Sequence, residues 1–212
     1  GVGANLHDHP DVVLVVEAAS SALFGMSAVG AWRIAQGLWH WRRQRRGFLT
    51  TNFAEAGGFY KTTPDLPQPN IQLHFVVGKL INHGRTPSRG HGYSLHVCLL
   101  QPQSRGTVRL ASSDAMMPPL IDPQFLAEPE DMAQMVQGVR QARQILAQPA
   151  LSVHGREWAR SSRAQSDEAL AQWIRQNADT IYHPVGTCRM GQDEMAVVDP
   201  ELRVRGVQGL RV

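Results

Sequence analysis

The chain has 212 residues, of which 42% are hydrophobic and 18% are charged, a composition typical of a globular protein with one large domain or two small ones. No apolar run approaches the roughly 20 residues needed to span a bilayer, and two cysteines do not make a disulfide framework in a chain of this size. The net charge of +3 is mixed in sign outside one arginine cluster, which excludes a nucleic-acid-binding polycation. We therefore expect a cytoplasmic protein with free thiols.

The first ten residues are rich in turn formers and predict a loop. His7 and His9 flank Asp8 and would point the same way on an extended segment, where a metal site is conceivable. No third ligand lies at a recognisable spacing, so we favour a polar loop without a metal. The continuous apolar run over residues 12–16 then predicts a strand buried on both faces.

Residues 27–42 have apolar side chains at helical spacing, and the segment runs into a basic cluster made of Arg42, Arg43, Arg45 and Arg46. Cations at a helix C-terminus oppose the negative end of the macrodipole, so a solvated helix end is the favoured interpretation. Because tryptophans lie next to these arginines, weak contact with a membrane surface is the alternative.

A stretch of small and aromatic residues follows at positions 47–60, with Glu55 as its only carboxylate and Phe59 near its end. Glu55 suits either a substrate-facing position or the solvated surface, and the sequence leaves both open.

Three strands are predicted by alternating side chains over residues 71–77, 93–100 and 106–110. Since no helix separates them, they point to an antiparallel sheet. His74 and His96 are expected on a face of that sheet rather than as metal ligands. Helices are predicted over 129–147, from the spacing of its apolar residues, and from the N-cap Ser166 to near position 179. The predicted fold class is α+β, a mostly antiparallel sheet flanked by helices.

The most unusual stretch is 182–191, YHPVGTCRMG, in which His183 precedes a proline. Pro184 pushes His183 towards extended geometry, and the two glycines allow close backbone approach. An imidazole takes up and returns a proton near neutral pH. His183 is therefore either the proton-handling group of an active site or a hydrogen-bonding post in a tight loop.

Four stretches carry a resemblance to the glucose–methanol–choline family of flavin-dependent alcohol oxidoreductases, in particular its choline and alcohol dehydrogenase branch. They are residues 1–10 (GVGANLHDHP), 52–59 (NFAEAGGF), 104–110 (SRGTVRL) and 183–191 (HPVGTCRMG), the last followed by VDP at 198–200 and GLRV at 209–212. They occur in the family's order along nearly the whole chain.

The resemblance implies an FAD-dependent oxidation of a CH–OH group, in which His183 acts as the base and hydride passes to the flavin. It further implies that the loop 1–10 lies near the flavin, with Asn5, Asp8, His9 and Pro184 on the cofactor side. Glu55 and Phe59 are expected on the substrate side.

The resemblance also implies an incomplete enzyme, because the GxGxxG phosphate loop of the family is absent from these residues. We expect residues 1–10 to connect from an FAD domain, 11–182 to form the substrate-binding domain, and 183–212 to form the active-site loop and the return. The partners expected are an alcohol substrate and the missing FAD domain, with a second catalytic residue outside this chain. A non-catalytic binding module on the same fold is the alternative.

Overall fold

The computed structural model describes residues 1–212. The helices are α1 (Ala28–Gln44), α2 (Pro129–Leu146), α3 (Pro149–Ser152), α4 (Ala159–Ser162) and α5 (Asp167–Asn177), with a 3-10 turn at Phe48–Thr50. The strands are β1 (Pro10–Ala18), β2 (Gly25–Met26), β3 (Ala54–Tyr60), β4 (Ile71–Val76), β5 (Gly90–Leu99), β6 (Thr107–Arg109), β7 (Leu120–Asp122), β8 (Arg156–Glu157) and β9 (Asp179–Thr180). No helix combines the length and the apolar composition that crossing a bilayer requires.

The chain divides into two compact units, each assembled from separate segments. Unit 1 contains Gly1–Pro10, Gln101–Met132 and Asp179–Val212, and unit 2 contains Asp11–Leu100 and Ala133–Ala178. The expected boundaries at 10 and near 182 divide the chain into consecutive blocks. The structure instead adds the internal segment Gln101–Met132 to the two terminal segments.

Unit 2 is built on an antiparallel sheet with the strand order β3-β4-β5-β1-β8, and β2 pairs beside β5. The alternation of side chains gives this sheet two different faces. One face is apolar and includes Leu14, Ile71 and Val97, all fully buried. Helix α2 packs here so closely that a Cβ on Gly138 would lie 2.9 Å from the Cδ1 atom of Ile71. The predicted α+β class with a mostly antiparallel sheet is confirmed.

The predicted helices follow their sequence signals. Met135 and Val139 of α2 are fully buried, as are Leu170 and Ile174 of α5, so the apolar spacing does mark the core face. Ser166 caps α5 by accepting a hydrogen bond from the amide of Ala169, which satisfies one of the unpaired amides of the first turn. The basic cluster does fall at a helix end, since α1 stops at Gln44.

Two strands differ from expectation. The segment predicted as a third sheet strand, at 106–110, forms β6, which pairs only with β7 in a separate two-stranded sheet. The stretch 47–60 had no predicted element, yet Ala54–Tyr60 forms edge strand β3. Glycines at 57 and 58 lower β-propensity, and pairing with β4 overrides that local preference.

Unit 1 contains few regular elements and is held by polar contacts. Asp131, fully buried in the first turn of α2, accepts hydrogen bonds from the amides of Gln103 and Ser104 at 2.8 Å and from the Ser104 hydroxyl at 2.5 Å. Such charge-assisted bonds are among the stronger ones in proteins. They fix the start of the segment that leads to β6.

Candidate active site

The predicted catalytic stretch lies against the N-terminal loop within unit 1, and the two run antiparallel. His7 and Val185 exchange both backbone hydrogen bonds, at 2.8 and 2.9 Å. On either side, the Gly3 amide donates to Thr187 and the Ile181 amide donates to His9. These pairings bring together two segments that are about 180 residues apart in sequence.

His183 lies in a bulge of this ladder. One residue, Asp8, separates His7 from His9, whereas three residues separate Ile181 from Val185. The extra length is absorbed by a left-handed Tyr182, whose φ is 69°. Pro184 cannot donate a ladder hydrogen bond, so it is suited to such a bulge. The result is a protruding loop with His183 at its centre.

Asp8 fills the space opposite this bulge and holds it in place. The residue is only 8% exposed, and its Oδ1 atom accepts from the amides of His183 at 3.0 Å and His9 at 2.8 Å. Its Oδ2 atom accepts from the hydroxyl of Thr180, which in turn accepts from the Tyr182 amide at 2.7 Å. One carboxylate therefore holds the His183 amide directly and the Tyr182 amide through Thr180.

The imidazoles of His183 and His9 form a pair. Their Nδ1 atoms lie 3.4 Å apart and the rings meet edge to face at 5.4 Å between centroids. At this distance one Nδ1 atom can donate a hydrogen bond and the other can accept it. His183 is exposed, and since its Nδ1 faces His9, its Nε2 is the nitrogen left for proton transfer to a ligand.

Close packing beyond the bulge depends on Gly186. Its φ is +98°, and a Cβ there would lie 2.1 Å from the carbonyl oxygen of Asn5. Asn5 itself has a left-handed backbone conformation, with φ 62°. Its side-chain Nδ2 atom lies 3.4 Å from His7 Nε2. Burial and the nearby Arg105 guanidinium lower the pKa of His7, which favours the neutral ring as an acceptor for Asn5.

An open cavity of about 320 Å³ adjoins these residues, with Gly1, Ala4, Asn5, Gly186 and Arg189 in its lining. This volume is at the lower end for ligand pockets. Arg189 forms a bidentate ion pair with Asp193, which lowers the pKa of the Asp193 carboxyl to about 2.

Of the predicted residues, Asp8 and His9 contact His183 directly and Pro184 follows it in the chain, whereas Asn5 packs against Gly186 beyond the bulge. The two residues expected on the substrate side, Glu55 and Phe59, belong to β3 in unit 2 and are both exposed. Glu55 sits at an irregularity in the pairing of β3 with β4. Phe59 pairs with Gln72 and is 62% exposed.

The second face of the unit 2 sheet carries a buried polar cluster. Asp11 is fully buried and accepts from His96 Nδ1 at 2.6 Å and from Cys98 Sγ at 3.2 Å. His83 Nδ1 lies 3.8 Å from the same carboxylate. Burial lowers the pKa of His83, although the attraction of Asp11 opposes this shift. His74 and His96 face each other across β4 and β5, as sheet-face histidines should.

Asp11, His83 and His96 are also close enough to be considered as metal ligands, with all three ligand atoms within 4.8 Å of one another. Two ligands of one tetrahedral zinc ion, each about 2.1 Å from it, stand more than 3 Å apart. The 2.6 Å separation of Asp11 and His96 is shorter and is that of a charge-assisted hydrogen bond. The cluster as it stands is a hydrogen-bonded network.

Sequence reasoning missed Thr180 and Asp11 as members of these clusters. Thr180 ends a two-residue strand and carries no motif. Alternation along β5 did place Ser94, His96 and Cys98 on one face, but their carboxylate partner became visible only with the register that pairs Asp11 with Cys98.

Comparisons with known proteins agree on one family. Residues 102–212 match the family model described as GMC oxidoreductase. An alcohol dehydrogenase [acceptor] of Pseudomonas putida is 45% identical over 212 residues, and an oxygen-dependent choline dehydrogenase of Cronobacter sakazakii is 38% identical over 213. Both alignments cover all of this chain and 38% of the relative, so the chain spans well under half the length of these proteins.

A solved structure gives the same result for the fold. A formate oxidase of Aspergillus oryzae RIB40, studied for modification of its FAD, superposes with a TM-score of 0.85 at 25% identity, covering 99% of this chain and 42% of the oxidase. The resemblance stated from the four sequence stretches is therefore confirmed: the chain belongs to the GMC oxidoreductase family.

Proposed function

We propose that this chain is the substrate-binding part of a larger FAD-dependent alcohol oxidoreductase in which His183 is the catalytic base. The observation that carries the proposal is the bulge that presents an exposed imidazole while Asp8 fixes its backbone. A base must reach the substrate hydroxyl and keep its orientation, and this arrangement supports both requirements. The relatives named as alcohol and choline dehydrogenases support the reaction class.

The residues beside the bulge fit an FAD cofactor held by another part of the protein. Asn5, Asp8, His9 and Pro184 line or support the face that carries His183, and the neighbouring cavity has small residues at Gly1 and Ala4. When bound, FAD would supply the acceptor for the hydride leaving the alcohol carbon. We propose that the chain alone neither holds FAD tightly nor turns over. Flavin absorbance that copurifies with residues 1–212 would contradict this.

His183 takes the hydroxyl proton at its Nε2 atom. His9 holds the opposite ring nitrogen, and the edge-to-face contact restricts rotation of the ring. Once Nε2 of His183 carries that proton, the Nδ1–H group of the same ring donates to the Nδ1 atom of His9, since the two Nδ1 atoms are already at hydrogen-bonding distance. Asp8 does not touch the reacting atoms and acts as a positioning residue.

The substrate side is proposed to involve Glu55 and Phe59. An exposed carboxylate and an exposed aromatic ring are the groups that attract a quaternary ammonium such as that of choline. An uncharged aliphatic alcohol would instead depend on apolar contact alone. Glu55→Gln in the full-length enzyme should raise KM for choline at least tenfold and leave KM for a primary alkanol unchanged. Equal effects on both substrates would contradict a role in cation binding.

The role of His183 is tested with His183→Ala and His183→Gln in the full-length enzyme, by alcohol-dependent reduction of an artificial acceptor. Loss of a general base should lower kcat by about 10²- to 10⁴-fold, with FAD content unchanged. The matched control is His154→Ala, since His154 is also an exposed histidine. If the His183 variants keep wild-type turnover, His183 is not the base. If the wild-type full-length protein oxidises no alcohol, the non-catalytic binding module is favoured.

The proposed localisation is cytoplasmic, with peripheral contact at the membrane.

A further inference from the structure

Helix α1 has a buried side and an exposed side that differ sharply in composition. Gly30 and Gly37, two turns apart, are its buried residues, and a Cβ on Gly37 would lie 3.3 Å from Leu49. At about 100° per residue, Trp32 and Trp39 project on the opposite side, and they are 65% and 52% exposed. The helix therefore packs through glycines and presents its largest apolar side chains outward.

The same outward stripe becomes basic in its last turn. Arg42 and Arg43 continue the positions of Trp32 and Trp39 at helical spacing, and Arg45 and Arg46 follow directly after the helix ends at Gln44. The guanidinium of Arg43 stacks on the Trp39 ring, 4.6 Å from its centroid, and that of Arg45 stacks on Trp41 at 4.4 Å. Indole rings with adjacent cations are typical of segments at the level of lipid headgroups.

Charge distinguishes this surface from the rest of the protein. Residues 28–46 contain five arginines and no Asp or Glu, so they carry +5, whereas the whole chain carries +3 and the other 193 residues therefore carry −2. A covering surface must offset this concentrated positive charge and also accept exposed tryptophans. Anionic phospholipid headgroups over an apolar layer meet both requirements, whereas a nucleic-acid duplex, whose base faces are already stacked on one another, meets only the first.

We propose that α1 together with Arg45 and Arg46 is a membrane-surface helix, which binds anionic phospholipid with its tryptophans at the headgroup level. This inference rests on the proposed function only in that the chain is part of a larger enzyme, and lipid binding needs no turnover. Helix α1 does not span the bilayer; it lies on the leaflet and attaches the enzyme peripherally.

The test uses the full-length enzyme in flotation with vesicles of roughly three parts phosphatidylcholine to one part phosphatidylglycerol, compared with phosphatidylcholine alone. Wild type should float with the anionic vesicles and remain in solution with the neutral ones. Raising the ionic strength should weaken binding, because exposed charges are screened. If the wild type does not float, the proposal is overturned. This holds whether α1 is covered by another part of the protein or stays exposed to solvent.

Arginine variants test the electrostatic part. Removing three cations as Arg42→Gln, Arg43→Gln and Arg46→Gln should lower the partition coefficient about 100-fold. A control with the same change in net charge replaces three exposed arginines elsewhere in unit 2.

That control is Arg156→Gln, Arg160→Gln and Arg175→Gln, and it should float nearly as well as wild type. Equal flotation of the two triple variants overturns the assignment to α1. Loss of duplex DNA binding in the α1 variant, with no flotation by the wild type, overturns it in favour of a nucleic acid.

Tryptophan variants test the apolar part. Trp32→Ala with Trp39→Ala should weaken flotation at least tenfold, whereas the control Leu110→Ala with Met116→Ala, at two other exposed apolar residues, should not. Alcohol-dependent dye reduction is measured on the same preparations. If the wild type oxidises alcohol but does not float, only the proposed membrane binding is rejected. If the wild type floats but does not oxidise alcohol, only the proposed enzymatic function is rejected.

Discussion

The bulge at His183 depends on Asp8, so Asp8→Ala in the full-length enzyme tests the central geometric argument. The Asp8 carboxylate accepts three hydrogen bonds, from the amides of His9 and His183 and from the Thr180 hydroxyl. Bonds to a charged group contribute about 1.5–3 kcal/mol each when buried. Because His183 is exposed, water recovers part of this, and we expect a net loss of about 2–4 kcal/mol in the local order of the loop.

The effect on activity should be large, although Asp8 does not touch the reacting atoms. Displacement of a catalytic group by about 1 Å can lower the rate 100-fold. We therefore expect kcat for alcohol-dependent dye reduction to fall 10- to 100-fold in Asp8→Ala, with KM changed by less than about threefold. Asp8→Asn keeps one oxygen for the two amides and should lose less than about tenfold.

The matched control is Asp114→Ala, since Asp114 is an exposed aspartate of unit 1 that accepts a bond from the amide of Met116. It should have wild-type kinetics. A kcat in Asp8→Ala within about twofold of wild type would refute the argument that this carboxylate positions His183, the proposed base. Equal losses in the Asn and Ala variants would show that the negative charge, not the acceptor geometry, is required.

Three further substitutions test other parts of the structure. Gly186→Ala should cost about 1–2 kcal/mol in backbone strain and displace the Asn5 loop. Both turnover and the midpoint of thermal unfolding should therefore fall. An unchanged midpoint would contradict the close packing. Asp131→Ala removes three hydrogen bonds around Ser104 and should lower the free energy of unfolding by about 3 kcal/mol in urea titrations, clearly more than Asp131→Asn. Burial lowers the folded-state pKa of His83, so the unfolded state binds more protons and stability is lost as pH falls through about 6.5. His83→Gln should reduce this pH dependence, measured as the hydrogen-exchange protection of β4 and β5. An unaltered slope would mean that another group causes the dependence.

The four stretches that carried the family resemblance were sufficient to place the chain among the GMC oxidoreductases, and the model match and the relatives confirm this. The last of these stretches also singled out His183, because the residue before a proline has restricted backbone geometry. The roles of His183, Glu55 and Phe59 remain proposals.

Local elements were readable wherever apolar spacing was regular. Helix α2 and helix α5 follow their periodic patterns, and β4 and β5 follow their alternation. These patterns act over four or five neighbouring residues, so the chain itself carries them. Strand β3 was not readable, because its glycines oppose strand formation and only the pairing with β4 compensates for them.

The sites were decided by contacts between residues far apart in sequence. Asp8 and His183 are 175 positions apart, and Asp11 and His96 are 85 apart. Which carboxylate meets which imidazole depends on strand register and on the length of the bulge, and a shift of one residue would turn each side chain to the other face. The sequence therefore identified His183 as an unusual histidine, and the tertiary structure alone showed that one buried carboxylate holds the loop on which it is presented.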